Sequence, residues 1–265
     1  MDEATVEMIV TAIVKAMQGG GDSAGDGGIS GGKNAAPTAL DTDATPARIE
    51  IGRAGPRLKT QTYLQFRADH AIARDAVLQD VPQELLNKLQ LQTFKTRCRD
   101  KNEFLTRPDL GRQLDDDTLR ALKQLNPQPC DALIYAADGL SSRAVAANLE
   151  NILPIIADGL RQQKLSMGRP FFLQYGRVGS MDSIGPALQA KVVCVLLGER
   201  PGLGSAESMS AYVAWQPAQG MPEARRTVVS NIYAGGLNAV EAGAYLAELI
   251  GKIHREKKSG VELNA

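Results

Sequence analysis

From residue 130 onward, short apolar runs alternate with stretches of helical periodicity, and each run closes on a loop of glycine and polar residues. Residues 132–136, 171–175 and 192–197 are predicted strands, with 211–215 as a fourth. Between and after them the spacing predicts a helix capped by Ser141 and running past Leu149, a short helix over 184–190, and a closing helix over about 240–257. Strands without polar alternation, separated by helices, imply burial on both faces. The expected fold is therefore α/β, a Rossmann-like, largely parallel sheet flanked by helices.

In an open parallel sheet, ligands bind beyond the carboxyl ends of the strands. That rule selects the loops at 137–142, 176–182 and 198–205 as the first candidates for a site. The third contains GERPGLG, whose glycines and proline fix a turn and let backbone approach a ligand closely. It is neither the G-x-G-x-x-G dinucleotide fingerprint nor a Walker A loop, which needs Lys followed by Ser or Thr.

Upstream, residues 48–129 read as a helical or irregular region. Leu85, Leu86, Leu89 and Leu91 follow Pro82 and predict a helix over 83–94. Asp115, Asp116 and Asp117 suit the start of a further helix at 118–125 better than a metal site. Arg48, Arg53, Arg57, Lys59, Arg67 and Arg74 outnumber Glu50, Asp69 and Asp75, so this arm is either a solvated face or a segment lying on an acidic partner surface.

Residues 1–17 place Val6, Ile9, Val10, Ile13, Val14 and Met17 on one helical stripe. Eight of the chain's 26 glycines then fall within 19–32, and residues 18–47 form an expected linker reaching roughly 30 Å as a flexible coil. The expected organisation is a leader at 1–47, a helical and extended region at 48–129, and an α/β domain at 130–265. An amphipathic leader held away from the body calls for a docking partner.

Lys plus Arg and Asp plus Glu balance at 30 each among 265 residues, which gives no electrostatic footprint for nucleic acid or an anionic membrane. No apolar run approaches the roughly 20 residues of a membrane span. Cys98, Cys130 and Cys194 are widely separated and lack metal or redox spacing, so a reducing, cytoplasmic setting is expected. His70 and His254 have no nearby Cys or second His, and both read as structural. The sequence after Asp69 and His70 lacks the D-x-H-x-x-G spacing that supplies a cobalt-ligating histidine. Neither a catalytic triad nor a G-x-S-x-G elbow is present. Taken from the residues alone, the chain is an α/β binding module, which leaves open a nucleotide-binding protein or a scaffold.

Seven blocks carry a closer likeness. They are RIEIGRAGPR at 48–57, FRADHAIARDAV at 66–77, RPDLGRQL at 107–114, ADGLSSRAV at 137–145, YGRVGSMDSIG at 175–185, LLGERPGLGSAESMSAY at 196–212 and SNIYAGGLNAVEAGAY at 230–245. In content and order they resemble the small subunit of ethanolamine ammonia-lyase. That resemblance implies a lyase subunit that joins a large catalytic subunit to convert ethanolamine to acetaldehyde and ammonia by radical chemistry with adenosylcobalamin. It implies no catalytic or metal-ligating residue in this chain, because cobalamin in that family keeps its own dimethylbenzimidazole as lower ligand. Cofactor contacts carry over to Val178, Glu199 and Val228, the last standing where some members have cysteine, with Arg177 added as the neighbour of Val178. The leader resembles segments that direct such subunits into a bacterial microcompartment, which makes a shell protein its expected partner.

Overall fold

The computed structural model describes residue 48 and residues 51–264; the leader helix and linker expected over 1–47 lie outside the described residues. Elements are numbered in chain order over the described residues. The centre of the molecule is a six-stranded sheet of order β3-β5-β4-β6-β7-β8. Its strands are β3 (Gln92–Lys95), β4 (Cys130–Ala137), β5 (Phe171–Gln174), β6 (Ala190–Gly198), β7 (Met209–Trp215) and β8 (Thr227–Ile232). The first four neighbours run parallel, whereas β7 pairs antiparallel with β6 and β8 antiparallel with β7. The largely parallel α/β architecture is thus present, with the expected fourth strand in the antiparallel sense.

Alternate residues of the central strands feed two separate cores. Ala132, Ile134, Ala136, Val192, Cys194 and Leu196 face α5 (Ser142–Gln162) and α7 (Ala239–Glu256). Leu133, Tyr135, Ala137, Val193, Val195 and Leu197 face α4 (Asp116–Leu125) and α6 (Met181–Leu188). Burial on both sides is why β4 from Ala132 and β6 from Val192 read as unbroken apolar runs.

The helix starts are set by side chains. Ser141 Oγ accepts from the Ala144 N–H at 3.1 Å to open α5, and Asp115 Oδ1 accepts from the Thr118 N–H at 2.7 Å to open α4. The acid trio therefore begins a helix, as its position implied. Asn238 does the same for α7 through the N–H groups of Val240 and Glu241.

Two elements differ from expectation. The helix predicted over 83–94 stops early: α2 is Gln83–Lys88, Gln90 takes a positive φ of 54°, and the chain turns into β3. Leu86 and Leu91 lie in the core facing α5, while Phe94 enters the other core and stacks edge-on against Phe171. A leucine pattern does not distinguish one helix from a short helix followed by a strand. β8 carries no apolar run in the sequence because TVVSNI is an edge strand in which only Ile232 is buried. The segment before residue 130 thus supplies the edge strand β3, which pairs in parallel with β5.

The basic arm forms a small hairpin, β1 (Arg53–Ala54) with β2 (Arg57–Leu58), followed by α1 (Thr60–Leu78). Only Ala76 of α1 is buried; its carbonyl accepts from Ser142 Oγ at 3.1 Å. Tyr63, Leu64, Ile72 and Leu78 are exposed. Among the described residues, no helix is long and apolar enough to cross a membrane.

Candidate functional site

The loops after β4, β5 and β6 meet at one end of the sheet and line a cleft of about 310 Å³. Their approach begins with two glycines. Gly139 has φ +54°, and a Cβ there would lie 2.3 Å from the Gly198 carbonyl oxygen; a Cβ on Gly198 would lie 2.1 Å from that of Ser141. Without side chains, the two turns share a hydrogen bond from Leu140 N–H to Gly198 O at 2.9 Å.

The loop after β5 is fixed from two directions. Asp138, almost fully buried at the end of β4, accepts the Tyr175 N–H at 2.7 Å through Oδ1. Its Oδ2 receives Lys101 Nζ at 3.1 Å from α3 (Lys101–Thr106). Burial pushes the Asp138 carboxyl up to about 6, against the opposing pull of Lys101 and the backbone donors. On the other side, Arg177 N–H donates to Gly111 O at 2.9 Å, which joins YGRVG to RPDLGRQL.

Glu199 and Val178 both line the cleft, together with Leu140, Arg112, Tyr212 and Glu223. Glu199 pairs with neither Arg177 nor Arg200. Its carboxylate accepts the Tyr212 O–H at 2.7 Å, and burial together with that carboxylate pushes the phenol upward, so Tyr212 remains a donor at neutral pH. Val178 opens a single 3-10 turn, Val178–Ser180, and packs against the core behind it.

Arg177 borders the same cleft, but its guanidinium turns inward. It donates from Nη2 to Phe104 O at 2.8 Å and lies 4.3 Å from the centre of the Phe104 ring. Its Nε is buried without a hydrogen-bond partner. Val228 is about half exposed and lies outside the cleft lining; it pairs across the sheet with Tyr212, on the same face. Three of the four residues singled out in the sequence therefore meet, with the fourth one strand away.

Arg112, Tyr212 and Glu223 were missed. Arg112 stands in RPDLGRQL and Tyr212 ends SAESMSAY, so both lay within stretches already marked; Glu223 precedes β8 and carried no signal. Among the described residues no cluster of His, Cys, Asp or Glu could hold a metal ion. His254 sits at the opposite end of the sheet, 3.1 Å from Asp131 Oδ1.

The molecule is thus a mixed α/β protein whose strand-end loops converge on one cleft, with the carboxylates of Glu199 and Glu223 in its lining. The sequence profile described as "Ethanolamine ammonia-lyase light chain" matches residues 37–264. The small subunit of ethanolamine ammonia-lyase from Clostridium tetani is 53% identical over 219 residues, covering 83% of this chain and 74% of that protein. Its counterpart from Listeria monocytogenes serovar 1/2a is 51% identical over 219 residues, covering 83% and 75%. The chain belongs to the small-subunit family of ethanolamine ammonia-lyase, a lyase built from unlike subunits.

Proposed function

We propose that this chain contributes one side of an adenosylcobalamin site and that a large subunit contributes the other side and the substrate pocket. Such an assembly would convert ethanolamine to acetaldehyde and ammonia. The observation that carries this reading is the convergence of Glu199 and Val178 on one strand-end cleft, supported by membership of the family.

The residues present fit the cofactor. The amide arms around a corrin donate N–H groups, and Glu199 offers a carboxylate acceptor whose orientation is held by Tyr212. Val178 and Leu140 supply apolar contact, and Arg112 a donor for the amide carbonyls or the nucleotide phosphate. Val228, beside Tyr212 at the exposed sheet edge, extends that surface by packing or through its backbone. Arg177 contributes its stem, with its guanidinium shaping the loop from behind. A cleft of about 310 Å³ admits only an edge of so large a ligand, which makes the partner necessary for enclosure. When bound, adenosylcobalamin supplies the radical that starts the reaction.

Two carboxylates on the cleft, Glu199 and Glu223, disfavour the alternative of a nucleotide polyphosphate, and the loops hold no glycine cradle followed by Lys and Ser or Thr. The exposed apolar residues of α1 and the basic arm are assigned to the large-subunit contact. Residues 1–47 are assigned to encapsulation within a cytoplasmic microcompartment through a shell protein. The deciding assay is acetaldehyde release from ethanolamine by this chain, its large subunit and adenosylcobalamin, omitting each in turn. Turnover requiring all three supports the assignment; no turnover from a folded complex overturns it in favour of a scaffold or nucleotide-binding protein.

A further inference from the structure

Three loops that leave separate strands have no ladder to hold them in register beyond the strand ends. In this chain they are joined through the segment at Asp138. Its Oδ1 takes the Tyr175 N–H at 2.7 Å, and the following turn gives Leu140 N–H to Gly198 O at 2.9 Å. From the side, Lys101 places its ammonium 3.1 Å from Asp138 Oδ2 and about 5 Å from the centre of the Tyr175 ring. Tyr175 has φ +61°, a conformation a tyrosine rarely adopts unless its surroundings enforce it. Two and three residues later, Arg177 and Val178 line the cleft.

We infer that Asp138, paired with Lys101, is the positioning residue that holds the Tyr175 turn and the Gly198 turn together, so that Val178 and Glu199 face one ligand. This rests on the cofactor reading of the cleft. Asp138 lies beneath the loops and acts through them. A buried carboxylate is costly in an apolar strand end, and this one is met by a lysine and backbone donors. The other ionisable groups around it are Tyr175 and Arg177 on the β5 loop, Cys98 ahead of α3, and Asp80, which shares Lys101 at 3.7 Å.

The test is titration of the assembled two-subunit complex with adenosylcobalamin, followed by absorbance, for wild type, Asp138→Ala, Asp138→Asn and Glu199→Ala. Asp138→Ala is expected to weaken binding at least about 10-fold, the scale of one lost hydrogen bond to a charged group. Asp138→Asn keeps an acceptor for Tyr175 N–H but loses the charge that holds Lys101, so it should bind more tightly than Asp138→Ala and, at pH 8, about as weakly as wild type does below pH 6. Wild-type affinity should fall as pH drops through about 6, where Asp138 protonates, and this component should vanish in Asp138→Asn. Should Asp138→Ala fail to assemble, Lys101→Met replaces it, because removing the cation moves the same pH dependence upward. Weaker binding in Glu199→Ala with unchanged affinity and pH profile in the Asp138 and Lys101 variants overturns the positioning role alone. Unchanged affinity in every variant, Glu199→Ala included, overturns the cofactor reading and with it the purpose assigned to Asp138.

Discussion

Tyr212 donates its phenolic O–H to Glu199 at 2.7 Å, from the middle of β7 to the loop that ends β6. The bond orients the carboxylate along the cleft and leaves its second oxygen available to a donor from outside.

Replacing Glu199 by Ala removes that acceptor. Loss of one hydrogen bond to a charged group costs about 1.5 to 3 kcal/mol, or roughly 10- to 150-fold in adenosylcobalamin affinity. Tyr212→Phe keeps the charge and loses only its orientation, so a smaller weakening is expected, within about 10-fold. Association of the two subunits, followed by sedimentation, should change less than cofactor affinity in both variants.

Gly139→Ala is expected to damage the cleft more than either. The positive φ of 54° alone costs an L-residue about 1 to 2 kcal/mol. The added Cβ would also meet Gly198 O at 2.3 Å, and that atom is backbone. Relief requires the β4 and β6 turns to separate. A lowered melting temperature together with weakened cofactor binding is the expected result; an unchanged melting temperature would contradict the close approach.

Deleting residues 1–47 should leave ammonia-lyase turnover in the purified complex intact, because the strand-end cleft is built from residues after 100. The measurement is acetaldehyde release at equal concentrations of full-length and shortened complex. Abolished turnover with intact assembly would assign the leader a direct part in catalysis.

The parallel part of the sheet was legible because burial on two faces leaves β4 from Ala132 and β6 from Val192 apolar, a signal that needs no partner to interpret. The same logic concealed β8, an edge strand with a single buried residue, and it merged α2 with β3 because leucines serve either element. In the site, the strand-end rule and the glycines located the loops before any contact was known. Sequence spacing carries no information about the hydroxyl of Tyr212 meeting Glu199, since they are brought together by the β6–β7 return. The burial of Asp138 was equally hidden, because its lysine comes from a helix 37 residues earlier in the chain.

Far from the cleft, Asp131 provides a pH-dependent test of the opposite end of the sheet. Its Oδ1 receives Lys191 Nζ at 2.8 Å and faces His254 Nε2 at 3.1 Å; its Oδ2 accepts the Ser166 N–H at 2.9 Å and Oγ–H at 2.7 Å. Lys191 first, then Ser166, hold this carboxyl well below the usual carboxylate range despite some burial. A depressed folded-state pKa contributes stability that is present above the unfolded value, about 3.9, and is lost as pH falls through the folded value. Lys191→Met should therefore lower stability at pH 7, by no more than about 1 kcal/mol because the lysine is half exposed. The difference from wild type should shrink below about pH 4, where the unfolded chain takes up at Asp131 a proton that the folded ion pair resists. Asp138 has the opposite sign: its carboxyl is raised to about 6, so folding takes up a proton and stability declines as pH rises from about 4 to 6. That contribution is common to both proteins and cancels in the comparison. Urea unfolding of wild type and Lys191→Met across pH 3 to 8 thus isolates Asp131, and a gap that widens toward acid would refute its ion pair with Lys191.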